Sequence, residues 1–253
     1  RYCQDELLPK QKSVGSDAFH INHLQSDKVR SSLFVDADSY YYSACVSCAD
    51  AMNGLKSEYY SWSTVKLYYS VFYGLRCLLA LGGVTVFYDK TKPKILRAIA
   101  GGQIQNPPKS SRERTSHGVV LETFKWRFPD HPLLSQDIAG EEPLSWLKAR
   151  REEMNYTQAR FTEPNPPTHF QIIERSTVRK LLNAYVADDV FSYAFDKDHA
   201  MIAYPVEVLK EASRELEAKG QCSLSTEELD FLSGAFRDET GPIPSLAKVI
   251  KRD

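Results

Sequence analysis

Residues 61–83, SWSTVKLYYSVFYGLRCLLALGG, constrain the fold more than any other stretch of the chain. Val65, Leu67, Tyr68, Tyr69, Val71, Phe72, Leu75, Leu78 and Leu79 recur at helical spacing and cover most of the circumference. A helix that is apolar on nearly every side is stable only when neighbours cover it on several sides, so this one is expected to be central. Ser61 or Ser63 supplies its cap and Gly82-Gly83 its stop. Lys66, Ser70 and Cys77 form the one narrow stripe that reads as wettable.

The rest of the chain is predominantly helical in pattern. Residues 1–37 are mixed and polar, without a clear period, and 1–38 read as an N-terminal extension. A first helix is expected over 39–55, with Tyr41, Ala44, Cys45, Cys48, Met52 and Leu55 on its apolar face. Val84 to Tyr88 is the best strand candidate, and a short helix is expected over 93–100. A turn-rich basic segment comes next. Its Lys109, Arg112 and Arg114 read first as an ordinary solvated loop. Further helices are expected over 117–128, over 143–155 with Pro143 in the first turn, and over 168–195 from a capping box at Thr168 and Gln171. The last two are expected over 200–219 and from a second capping box at Ser225 and Glu228 to about 236. The expectation is an all-α protein, an up-and-down bundle of four or five helices over 39–198 with a C-terminal helical extension over 199–253.

Composition excludes several functions. The formal net charge of −1 gives no overall basic field, so any nucleic-acid binding must be local. No apolar run reaches the roughly 20 residues of a membrane span, and no secretory signal is visible in a chain that opens at Arg1. Five cysteines, an odd number, suggest reduced thiols and a cytoplasmic address. Cys45 and Cys48 form a C-x-x-C, but no second pair or spaced histidines complete a zinc set, so they read as small residues on one helical face. Phosphate-loop, dinucleotide and hydrolase-elbow motifs are absent, and no cofactor or metal is expected.

The chemistry-bearing residues stand out by position. Arg151 follows Leu144 and Leu147 and precedes Met154 on a core-facing stripe, and Asn155 shares its face. A guanidinium in such a slot either has a partner or a function, or snorkels from the stripe's edge. Tyr156, five residues on, is off that face in a regular helix and approaches Arg151 only if the helix ends there. Arg76 reads as an ion pair or a contact between copies. His117, after Thr115-Ser116 at a helix start, is either a capping or packing residue or a general acid or base. His199, with Asp196 and Asp198, reads as part of a turn and cap.

Three segments in order, STVKLYYSVFYGLRCLLAL, SHGVVLETFKWRF and REEMNY, resemble the signature segments of the HEPN superfamily, helical-bundle domains of prokaryotic toxin–antitoxin and defence systems. REEMNY is most similar to the subgroup ending Arg-x-x-x-Asp/Asn-Tyr. The resemblance spans about residues 39–195. It implies a bundle that forms a homodimer with its terminal motifs meeting in one cleft, RNA as substrate, a partner protein from the same operon, and metal-independent cleavage in active members. It makes Arg151, Asn155, Tyr156 and His117 the candidate catalytic residues. Active members carry a histidine where this chain has Tyr156. An unperturbed phenol is ionised in about one molecule in a thousand at neutral pH, so either His117 moves the proton or the domain is a binding or assembly subunit of a larger defence complex.

Overall fold

The computed structural model describes residues 2–15, 18–108, 115–157, 159–220, 224–243 and 249–250. Lys109, Arg112, Arg114 and Cys222 lie outside them. The fold is all-α, as the periodicity predicts, apart from two short antiparallel strand pairs among the described residues. A π-helical turn, Cys3–Leu7, leads into α1 (Leu8–Val14). Then come α2 (His23–Lys56), α3 (Tyr60–Leu81), β1 (Val84–Asp89), β2 (Lys92–Arg97), α4 (Ser116–Arg127) and α5 (Pro143–Glu152), which runs into a second π-helical turn, Glu153–Thr157. A 3₁₀ segment, Thr168–Glu174, precedes α6 (Val178–Ala187), α7 (Ala200–Ala218), α8 (Thr226–Ala235), and the two-residue strands β3 (Arg237–Asp238) and β4 (Gly241–Pro242). No described helix is long and apolar enough to cross a membrane.

The chain divides into two units. The first comprises Arg1–Tyr40 and Leu75–Pro129, the second Tyr41–Gly74 and Asp130–Asp253, so α2 and α3 each contribute to both.

In the first unit the polar stretch before residue 38 is helical, contrary to the expectation of no regular pattern. Its buried helical positions, Cys3, Leu7, Leu8 and Gln11 and then Ser26, Val29, Leu33 and Ala37, do follow helical spacing, but polar or small residues fill several of them, so the stripe has little apolar contrast in the sequence. The helix expected over 93–100 is instead β2, paired with β1 from Val84 opposite Arg97 to Asp89 opposite Lys92. Pro93 and the apolar pair Ile95-Leu96 fit either state locally, and the cross-strand partner decides. Gly82 and Gly83 stop α3 as expected. Gly83 adopts φ 73°, and a Cβ on Gly82 would stand 2.4 Å from the Phe128 ring, so a larger residue there would displace Phe128.

In the second unit α2 and α3 run antiparallel at close range. The Ser63 hydroxyl donates to the Ala51 carbonyl at 3.1 Å, and Ser70 to Ala44 at 2.9 Å. The two contacts are seven residues apart on each helix, two turns, in opposite senses. Ser70 is therefore interior, not wettable, and Cys77, in the first unit, is buried too. The small Ser63 and Ser70 side chains let the helices approach, and a carbonyl across the seam satisfies the Ser70 hydroxyl. The half-exposed stripe of α3 in this unit is Trp62, Lys66, Tyr69 and Tyr73, with Lys66 held by Asp50 at 2.6 Å. Against another face of α3 lies α7, almost wholly buried. A Cβ on Gly74 would meet Val208 Cγ1 at 2.2 Å, and a stiff β-branched side chain has little room to yield. Gly74→Val is accordingly expected to destabilise the protein by about 3 kcal/mol through overpacking. A melting curve matching the wild type would show that α3 and α7 are not packed this tightly.

The helix expected from Thr168 to residue 195 is broken. Thr168 caps nothing, because Pro167 precedes a 3₁₀ segment, and α6 starts afresh where Thr177 Oγ1 accepts from the Lys180 amide at 3.3 Å. The Ser225–Glu228 capping box is present as expected. Cys3, Cys45, Cys48 and Cys77 are buried and in no disulfide, and burial pushes the Cys48 thiol up to about 12 despite its contact with the Ser70 hydroxyl, which suits packing and not redox chemistry.

Candidate functional site

The stripe predicted on α5 is the observed one. Leu144, Leu147, Arg151 and Met154 are all buried, with Arg151 9% exposed. The helix is set by Glu142, whose carboxylate accepts from the amides of Leu144 and Ser145, and by Pro143 in the first position. What regular periodicity does not predict is the approach of Tyr156. After Glu152 the backbone widens into a π-helical turn, which adds a residue per turn and brings positions five apart toward one face. The Arg151 Nη2 thereby donates to the Tyr156 hydroxyl, at a long 3.4 Å.

The guanidinium sits among three phenol rings. Its carbon lies 5.0 Å from the ring centre of Tyr156, 5.7 Å from Tyr68 and 6.0 Å from Tyr69. Each such contact contributes about 0.5–2 kcal/mol, more as the cation loses water. Among the described residues no carboxylate lies within ion-pair distance of Arg151, and its buried Nε finds no acceptor. Burial works against its charge, but the hydroxyl of Tyr69 and the hydrogen-bonded Tyr156 outweigh that, and Arg151 holds its proton more tightly than usual. Tyr156 is 70% exposed, so the cluster opens to solvent on that side.

A cation with no counter-charge, lined by phenols and carrying a spare donor, is suited to an oxyanion. Tyr68 and Tyr69 complete this cluster, although the sequence pattern assigns them only to the apolar surface of α3. A signal is present all the same: two adjacent tyrosines on an otherwise aliphatic helix, each hydroxyl in need of a partner.

Asn155 is half-buried, and its side chain makes no hydrogen bond to a described residue. His117 is the second residue of α4, beside the N-cap Thr115, whose Oγ1 accepts from the Gly118 amide at 3.3 Å. It belongs to the first unit, whereas Arg151, Asn155 and Tyr156 belong to the second. Arg76 stacks on Tyr40, 4.1 Å from the ring centre, and hydrogen-bonds its hydroxyl. Asp36, raised by burial against the pull of Arg76, completes that polar group within the first unit. His199 begins α7 without capping it and instead bonds the Tyr185 hydroxyl through Nδ1 at 2.8 Å. Among the described residues no three histidines, cysteines or carboxylates form a metal-binding group. No family model matches the chain, and no curated protein or solved structure is significantly similar to it.

Proposed function

We propose that the chain is a HEPN-like effector of a prokaryotic defence or toxin–antitoxin system that acts on RNA, with Arg151 as the phosphate-binding cation. The observation that carries this reading is the buried Arg151 guanidinium, without a carboxylate among the described residues and beside the exposed Tyr156. In this reading Arg151 stabilises charge on a phosphoryl oxygen, while Tyr156 and Tyr69 orient the guanidinium. Asn155, on the same helical face and without a side-chain hydrogen bond to a described residue, offers the substrate an amide.

Proton transfer divides this reading from a second. The groups around the guanidinium are phenols, and a phenol is a weak base at neutral pH. That observation favours a non-catalytic module, in which the Arg151 cluster holds RNA or a partner protein within a larger complex. The catalytic reading instead requires a group outside the Arg151 cluster to move the proton.

Incubating the protein with total RNA separates the two. For an enzyme, Arg151→Ala is expected to slow cleavage about a hundredfold or more, and Tyr156→Phe, which keeps the ring, about tenfold. If wild type and Arg151→Ala cleave equally, the catalytic reading is wrong. RNA left intact but bound in an Arg151-dependent way selects the binding module.

A further inference from the structure

The first unit carries a charge pattern that the net charge of −1 conceals. Between Lys90 and Arg127 the described residues include six lysines and arginines and one carboxylate, Glu122, which is paired with Lys125. Asp89, just before this stretch, is paired with Lys12 at 2.7 Å. Within this basic stretch the surface is indented by an open cleft of about 160 Å³. One wall is the face of β2 that carries Ile95 and Arg97, which alternation places together. A second wall is the segment from Gly101 to Gln105, which lies alongside β2 through the Ile95–Gln105 bridge, with Trp126 from the last turn of α4.

The cleft is held by backbone bonds. Ile95 and Gln105 exchange two hydrogen bonds of 2.9 Å. The Gly101 amide donates to the Ile21 carbonyl at 2.8 Å, and the Ile21 amide to the Gly102 carbonyl at 2.9 Å. A Cβ on Gly102 would stand 2.4 Å from the Arg97 carbonyl oxygen, so glycine alone lets the two walls meet there. Two groups face outward from this frame. Trp126 is 47% exposed, and Arg97 is exposed with no carboxylate partner among the described residues.

An exposed indole beside such a guanidinium fits a flat ring joined to an anion. At about 160 Å³ the cleft is smaller than the ~300–1,000 Å³ that encloses a whole small ligand, so it takes one ring of something longer. Arg97 in the lining, within a stretch of chain rich in lysine and arginine, favours a polyanion. A base on a phosphodiester strand has both properties, and stacking on an indole accepts any base. In a duplex the ring faces are hidden. We propose that this cleft binds an unpaired nucleic-acid strand, one base stacking on Trp126 while Arg97 neutralises a neighbouring phosphate. The site shares no residue with the Arg151 cluster and does not depend on that cluster's function.

The test is binding of a labelled oligothymidylate of about a dozen nucleotides, a length within the usual span of such sites and lacking the 2′-hydroxyl that cleavage requires. Trp126→Ala is expected to weaken binding tenfold or more, and Trp126→Phe, which keeps a stacking ring, by less than about threefold. Arg97→Ala is expected to weaken binding and to reduce the slope of log affinity against log salt by about 0.7. Measured in an Arg151→Ala background, where the other anion site is removed, the dependence of strand binding on Trp126 and Arg97 is expected to persist, and this separates the two sites. Trp126 and Arg97 are exposed, and unchanged melting of their variants confirms that the fold is kept. The proposal is overturned if the wild type does not bind the strand, if Trp126→Ala and Arg97→Ala bind like the wild type, or if a duplex or free thymidine monophosphate binds as tightly as the strand.

Discussion

Lys210→Met is expected to cost about 3–5 kcal/mol of stability, lowering the melting temperature by roughly 10 °C or more. Lys210 and Glu207, one turn apart on α7, are 6% and 2% exposed and 2.8 Å apart. The ammonium has three donors and three acceptors: the Glu207 carboxylate, the Asp188 carbonyl at 2.5 Å and the Tyr185 carbonyl at 3.2 Å. The two carbonyls belong to the end of α6, where the Tyr185 carbonyl meets only the Asp188 amide at 3.3 Å and the Asp188 carbonyl is beyond the last turn, so Lys210 both pairs a buried carboxylate and caps a helix. Methionine fills a similar volume but strips the ammonium from the Glu207 carboxylate and the Asp188 carbonyl and leaves the Tyr185 carbonyl only its bond from the Asp188 amide. Glu207→Gln keeps an acceptor oxygen and is expected to cost only about 1 kcal/mol. A Lys210→Met protein that melts within two or three degrees of the wild type would show that water replaces the ammonium.

The second large effect is on the pH dependence of stability, where two buried groups oppose one another. His169 is 5% exposed, with Nε2 3.0 Å from the Thr64 hydroxyl. That hydroxyl spends its proton on the Tyr60 carbonyl at 3.0 Å, so Nε2 carries the imidazole hydrogen and donates it. A second proton would have to enter at Nδ1 of this buried ring. Burial first, and then the nearby Arg150 charge, push the histidine down to about 3 from its ordinary 6.5. Between those values the unfolded chain binds a proton that the folded one refuses, so stability falls as pH falls, by up to about 1.4 kcal/mol per unit. His131, lowered by burial, acts in the same sense.

Glu207 acts in the opposite sense. Burial raises its carboxyl to about 7 from 4.5 despite Lys210, so between those values the folded state binds the extra proton and stability rises on acidification. From about pH 6.5 to 4.5 the two slopes largely cancel. Below that window His169 remains, joined by the carboxylates of Asp188 and Asp238, which are held below their usual range. Denaturant melts across this range are expected to show a nearly flat wild type, a His169→Gln protein that gains stability on acidification, and a Glu207→Gln protein that loses it at once. Parallel curves for all three would refute the assignment of both groups.

Elements with their own local signals are legible in the sequence. The α3 helix announces itself by an apolar run that two glycines stop, although it starts at Tyr60 and neither expected serine caps it, since Ser61 bonds the Glu163 carboxylate and Ser63 donates to carbonyls. The α8 helix announces itself by a capping box whose two halves are three residues apart. Arg151 is legible because a charge on a stripe of leucines violates its own period. The remainder depends on partners remote in the chain. Residues 93–97 become a strand because residues 84–89 lie beside them, and Ser70 is interior because Ala44 offers it a carbonyl. Thr177 falls inside the helix expected over 168–195 and is instead a cap, since a lone threonine serves either use until the backbone before it is known. Tyr68 and Tyr69 enter the cluster because α5 passes beside them, which spacing within α3 does not encode.

The π-helical turn at Glu153–Thr157 has a consequence for how this chain can change. Such a turn amounts to one residue more than an α-helix needs, and each residue rotates the chain beyond it by about 100°. Removing a single residue there would restore regular hydrogen bonding to the end of α5 and swing Tyr156 away from the guanidinium. Sturdiness and geometry are thus in opposition at this point. The shortest mutational step that improves the helix is also the one that dismantles the cluster, so the extra residue is a cost the fold bears for the position of one phenol.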